Sequence, residues 1–236
     1  MKLAIMQPYL FPYIGYFQLI KAVDRFVVYD DVNFIKQGWI NRNNILVQGK
    51  PLLFTVPLKN QSSFLKINES LINEKFYETW KLKFLRTLEQ SYKNAPYFKS
   101  VYTLIEQVLN ENYDDKSVSD LAVKSIIAVS DYLEFKTEFV LTSSSYNNHD
   151  LNGKERVIDI CNKEKALHYI NPVGGQELYD KDYFKERNLE LHFIKSLPVQ
   201  YTQFKNEFVP WLSIIDVLMF NSVEETNALL MKYELI

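Results

Sequence analysis

Cysteine is almost absent from this chain. Cys161 is the single one among 236 residues, so an intrachain disulfide is excluded and a cysteine-built metal site is not expected. Histidine is nearly as scarce. His149, His168 and His192 are widely spaced in the sequence, with no acidic or cysteine companion at ligand spacing, so no metal site is expected. An excess of either charge is missing too: the net charge is −2, which provides no global basic field for a phosphate backbone, and no nucleic-acid partner is expected. No apolar run approaches the roughly 20 residues that span a bilayer. The start, one lysine and a short apolar run broken by proline, does not resemble a signal peptide. The expected location is therefore the cytoplasm, without membrane insertion. With only six glycines the chain also lacks a Walker loop, a dinucleotide-binding glycine fingerprint and a Gly-x-Ser-x-Gly elbow.

What the chain has in quantity is aromatic side chains, 16 Tyr and 16 Phe in a sequence that is 15% aromatic. Most serve a large core, while tyrosine and tryptophan also suit sugars and purine rings. The opening run is the densest case. Leu3–Met6 reads as a buried strand. Pro8 and Pro12 cannot donate ladder hydrogen bonds, so that strand ends near Met6. A stiff aromatic turn then leads into a helix over Gly15–Ala22, the kind of strand-to-helix link where open α/β sheets place ligands.

Arg25–Tyr29 is continuously apolar through Phe26, Val27 and Val28, the pattern of a strand buried on both faces of a parallel sheet. Asn33–Asn44 has neither period and reads as a loop or irregular helix. Pro51–Leu58 reads as a strand, and Phe64–Ile72 as a weak edge strand. Helical spacing dominates Glu74–Tyr92, Lys99–Asn110 and Ser117–Leu133, the last with Ser117 as N-cap. Short strands follow at Phe139–Leu141, Leu167–Ile170 and Glu190–Ile194. One helix precedes and includes Cys161, and a last helical stretch occupies Ile214–Tyr233. The expected fold is an α/β, open, mostly parallel Rossmann-like sheet with covering helices. It forms one domain over 1–236, with 74–133 as a helical layer or insertion.

Asp30-Asp31 fall at the carboxyl end of the second strand, where paired acids can bind Mg²⁺ with substrate phosphates, hold the hydroxyls of a ribose or sugar, or simply close a turn. Trp39, Asn41, Arg42 and Asn43, with Lys36 nearby, offer an aromatic face, carboxamides and cations for phosphate. Gly174-Gly175 can present a backbone nest if both adopt positive φ, or form an ordinary turn.

Five blocks carry a resemblance: Met6-Gln-Pro-Tyr-Leu-Phe-Pro-Tyr-Ile-Gly-Tyr16, Trp39-Ile-Asn-Arg-Asn43, Ala95-Pro-Tyr-Phe98, Gly174-Gly175 and Leu212-Ser-Ile-Ile-Asp216. They resemble the recurring blocks of the WbqC-like family, over nearly the whole chain. That resemblance implies a setting in O-antigen and other surface-polysaccharide gene clusters. A second similarity is to nucleotidyltransferases of the His-x-Gly-His type, here as Tyr13-Ile-Gly-Tyr16 with tyrosine at both histidine positions. It implies an ATP-using ligase reading and close approach of a nucleotide phosphate at Gly15.

The function expected from these features is transfer of an acyl or aminoacyl group to a nucleotide-linked amino sugar. Gln7, Tyr9, Tyr13, Gly15, Tyr16 and Trp39 would line the pocket. Lys36 and Arg42 would hold phosphate, with Asn41, Asn43, Gly174 and Gly175 as further contacts, and Asp30 or Asp31 would act as base. The cofactor, an acyl donor or ATP, stays open, and so does a homo-oligomer. The alternative is a binding or scaffold protein for a glycan intermediate.

Overall fold

A computed structural model describes residues 1–113, 115–205 and 207–236. It is a mixed α/β structure around a mostly parallel six-stranded sheet. β1 (Lys2–Met6) leads through the proline-bearing turn into α1 (Ile14–Lys21) and returns as β2 (Arg25–Val28), which pairs parallel to β1 from Leu3↔Arg25 to Met6↔Val28. The next two elements leave the sheet. β3 (Arg42–Val47) and β4 (Lys50–Thr55) form an antiparallel hairpin of their own. Three helices follow, α2 (Glu74–Tyr92), α3 (Phe98–Leu109) and α4 (Val118–Tyr132).

The chain then rejoins the sheet as β5 (Glu138–Val140), passes through α5 (Gly153–Lys163), and adds β6 (His168–Pro172). It continues through α6 (Lys181–Lys185) to β7 (Glu190–Ser196). α7 (Ile214–Phe220), α8 (Val223–Leu230) and β8 (Tyr233–Leu235) complete it. The strand order is β5-β2-β1-β6-β7-β8, and only β8 runs antiparallel to its neighbour. Strands are added outward on one side of β1 and then, from β6, on the other. A crevice opens outside the strand ends where such a sheet reverses its order of growth.

Alternation along each strand divides the core. Ala4, Phe26, Val28, Ile170 and Ile194 face a large cluster that includes α1, α4, α7, α8 and the hairpin. Leu3, Ile5, Val27, Tyr169 and Phe193 face a smaller one built with α5 and α6, where Cys161 is fully buried. Both faces are covered, which explains the unbroken apolar runs of β1 and β2.

Some expectations change. Arg42–Asn44, expected as loop, is the start of β3. Its low intrinsic strand preference is overridden by cross-strand pairing, Arg42↔Thr55 and Asn44↔Leu53. Within 64–72, expected as an edge strand, lies the short 3-10 turn Ile67–Glu69. The stretch 214–233 is two helices rather than one, because Ser222 caps a new start by accepting from the Glu225 amide while Glu225 reaches back to the Ser222 amide. Ser117 is the N-cap of α4, as its position in the sequence suggested.

Candidate functional site

Where the chain leaves β1 it must turn sharply with two prolines in the way. Phe11 adopts φ +40°, rare for a bulky residue and rarer still before proline. Distant segments hold it there. Its amide donates to the Ser125 hydroxyl at 3.0 Å, and its carbonyl accepts from the Asn43 side-chain carboxamide at 2.8 Å and the Ser213 hydroxyl at 2.6 Å. The Ile214 amide donates to the Pro12 carbonyl at 2.8 Å. The turn is therefore clamped by α4, the hairpin and the approach to α7.

Beside this turn, at the carboxyl end of β7, lies a cavity of about 700 Å³. Tyr13 and Gly15 form one wall, Ser196 closes the strand end, and Tyr201, Phe208 and Trp211 contribute from the segments after β7. Trp211 is 76% exposed at φ +62°, and its ring meets Tyr13 edge-on at 6.5 Å. A Cβ on Gly15 would sit 2.4 Å from the Tyr13 ring and 2.7 Å from the Ser196 hydroxyl, so glycine is what lets α1, Tyr13 and β7 converge. Burial raises the pKa of the Tyr13 phenol, keeping it protonated as a donor.

The other expected site residues from the opening turn divide. Tyr16 is 2% exposed in the core and donates to the Gln7 carbonyl at 2.8 Å. Tyr9 and Gln7 are half-buried, with the Tyr9 ring 5.6 Å from that of Tyr16. Neither of them lines the cavity.

Asp30 and Asp31 do lie at the carboxyl edge, but their oxygens are engaged. Asp30 accepts from the Thr142 hydroxyl at 2.8 Å, the Ser143 amide at 3.1 Å and the Ser119 hydroxyl at 3.1 Å. Burial nonetheless pushes its carboxyl above the usual range, with those hydrogen bonds opposing. Asp31 pairs with Arg156 at 2.5 Å, both side chains about 95% buried, and accepts from the Ser143 hydroxyl. Arg156 also donates to the Asn148 carboxamide at 2.9 Å and lies over the Tyr29 ring. The pair ties the 142–148 segment and α5 to the end of β2.

The carboxamides and the guanidinium of the Trp39 block are likewise engaged with backbone carbonyls. Asn41 donates to the Val56 carbonyl at 3.0 Å, and Asn43 to the opening turn. Arg42 donates to the Gly38 carbonyl at 2.9 Å and to the Gln37 carbonyl, closing the turn that precedes β3. Lys36 is exposed, and Trp39 is exposed beside Arg42. Gly174 and Gly175 do not form the positive-φ nest, since neither has positive φ. Gly175 is required instead for packing: its Cβ position falls 1.9 Å from the Asn171 carboxamide.

Asp216 ends one of the blocks that carry the family resemblance, but the sequence assigns it no site role. It is fully buried at the start of α7 and accepts from Tyr92 at 2.8 Å, Tyr201 at 2.7 Å and Gln203 at 2.6 Å. Tyr92 in turn accepts from the Leu46 amide at 2.7 Å, joining hairpin, α2 and the cavity wall. The available signal was an acid inside the apolar run Ile214–Phe220. Burial raises the Asp216 pKa, and its three donors oppose that shift. The cavity residues after β7 left a weaker signal, prolines at 198 and 210 bracketing a long connection.

The model of the WbqC-like protein family matches residues 7–228, from the opening turn to α8. The chain belongs to the WbqC-like protein family. It is also similar to "Uncharacterized protein Rv1507c" of Mycobacterium tuberculosis, 30% identical over 224 residues, 93% of each chain. No solved structure matches. The family match thus spans the clamped turn, the Asp31–Arg156 pair and the cavity of this WbqC-like chain together. No helix among the described residues is long and apolar enough to cross a membrane.

Proposed function

We propose that this WbqC-like chain is a cytoplasmic enzyme of surface-polysaccharide assembly that binds a nucleotide-linked amino sugar and transfers an acyl or aminoacyl group to it. One observation carries the reading: the cavity of about 700 Å³ at the carboxyl edge, with Tyr13, Gly15, Ser196 and Trp211 around it. Its size suits a small-molecule site, and aromatic walls with a few polar groups suit a nucleobase or sugar face. Numbered in order of appearance, the strands run 3-2-1-4-5-6, the order of Rossmann-like sheets, which supports a nucleotide at the β1/β6 reversal.

In the proposed reaction the sugar amine attacks the carbonyl carbon of an activated acyl donor. The new C–N bond forms as the bond to the donor's leaving group breaks; the amine proton passes to that group or to solvent. The protein's contribution is orientation, which alone supplies a large part of such rate enhancements. In this reading Asp30 and Asp31 position the 142–148 segment and the ordered strand end. The ligase alternative is less favoured, because the Tyr16 phenol is committed to the Gln7 carbonyl inside the core.

The test is a thermal-shift and calorimetry panel of nucleotide sugars, with and without acyl donors, on the wild type and Trp211→Ala. Binding by an amino-sugar nucleotide, weakened roughly tenfold by loss of one aromatic wall, is expected. Silence across the panel would remove the enzyme reading. Binding with no turnover by any acyl donor would favour the glycan-intermediate binding protein.

A further inference from the structure

The sheet has a second chemically loaded edge. β6 and β7 pair in parallel with His168 opposite Glu190, and His192 follows two residues along β7 on the same face as Glu190. The expectation that these histidines lack an acidic companion does not hold, because strand register supplies one. His168 Nδ1 lies 3.1 Å from a Glu190 carboxylate oxygen and 3.3 Å from His192 Nε2, and that nitrogen is 3.6 Å from the same oxygen. Both imidazoles are about one-third exposed, open to solvent yet held on paired strands.

Those spacings are informative. A tetrahedral ion with ligands at about 2.0–2.1 Å separates its ligand atoms by about 3.3–3.4 Å. A triangle with edges of 3.1, 3.3 and 3.6 Å has a circumradius of about 1.9 Å, so a point about 2.0–2.1 Å from all three atoms lies just off their plane. A single His–Glu ion pair accounts for one edge of this triangle. A hydrogen bond between the two ring nitrogens accounts for a second, and leaves the 3.6 Å approach of His192 Nε2 to the carboxylate oxygen.

We propose that His168, Glu190 and His192 form a three-ligand site for a divalent transition metal of the zinc type, its fourth position left to water. Two imidazoles and one carboxylate are a donor set that zinc accepts. The site is separate from the cavity: it sits at the amino-terminal ends of β6 and β7, and Glu190 is six residues, about 20 Å of strand, from Ser196. An ion here clips the starts of two neighbouring strands together.

The test uses the full chain, stripped with a chelator and titrated with Zn²⁺ or Co²⁺ alone. Expected are one Zn²⁺ per chain by calorimetry, the strong visible absorption of four-coordinate Co²⁺, and a melting temperature that rises with metal concentration. His168→Gln, His192→Gln and Glu190→Gln should each weaken binding by roughly tenfold or more, whereas His149→Gln should leave it unchanged. Circular dichroism confirms that each variant folds. Equal Zn²⁺ affinity in the His168→Gln/His192→Gln double variant, or Co²⁺ that keeps its pale six-coordinate spectrum, would overturn the site and leave only an ion pair.

Discussion

The carboxyl edge of the sheet has two halves built on different principles. On the β2–β5 half, polar groups answer one another: Asp30, Asp31, Ser143, Arg156 and Asn148 form a closed, buried set. On the β7 half, aromatic side chains and a glycine surround open space, and Trp211 stands largely in solvent. A dense cluster of acids, amides and a cation looks like chemistry in a sequence. Here such groups bind the scaffold, and the open space lies between the opening turn and the stretch after β7.

The largest effect should separate the halves directly. Asp31→Ala leaves the Arg156 guanidinium buried without its partner, and loss of one member of such a pair costs about 3–5 kcal/mol. Trp211→Ala removes an exposed ring, and a surface change of that kind stays within about 0.5 kcal/mol. Urea denaturation of both variants measures the contrast. A stable Asp31→Ala protein that no longer binds the cavity ligand would reverse the assignment of the two halves.

Asp216 offers an intermediate effect with a pH signature. Burial raises its folded-state pKa above the unfolded 3.8, and that of Asp30 likewise. The folded protein therefore holds more protons through this window, so stability falls as pH rises from about 4 to the raised folded values and then levels off. Asp216→Asn cannot titrate and replaces one accepting oxygen by an NH2 group that faces the donors of Tyr92, Tyr201 and Gln203, costing about 1–3 kcal/mol. Denaturation series at stepped pH should show a gap between wild type and variant that narrows as pH rises. A constant gap would mean that Asp216 does not titrate there.

Arg42→Ala should do least. It loses two hydrogen bonds to carbonyls at a half-exposed turn, about 1 kcal/mol, and leaves affinity for a phosphate-bearing ligand unchanged in calorimetry. A salt-dependent loss of affinity would bring the guanidinium back into the ligand's surroundings.

Local rules made much of this fold legible. The prolines end β1, continuous apolar residues mark β2, helical spacing locates α2 to α4, and Ser117 announces α4. What could not be read is what depends on partners far along the chain. β3 begins on Arg42-Asn43-Asn44 and is a strand because β4 lies beside it. Asp31 finds its cation 125 positions later. His168 and Glu190 meet through register, and the cavity exists because the stretch after β7 folds back over the opening turn. Residue types at the site were visible, but not which of them would face each other and which would face space.

The left-handed conformation at Phe11 has an entropic consequence. The groups that hold it belong to residues 43, 125 and 213, so the clamp closes loops of about 30, 110 and 200 residues. Closing loops that long costs more chain entropy than forming the local helices and the hairpin. The opening turn thus takes its final shape only once residues 43, 125 and 213 are in place, and the Tyr13 wall of the cavity is completed with them.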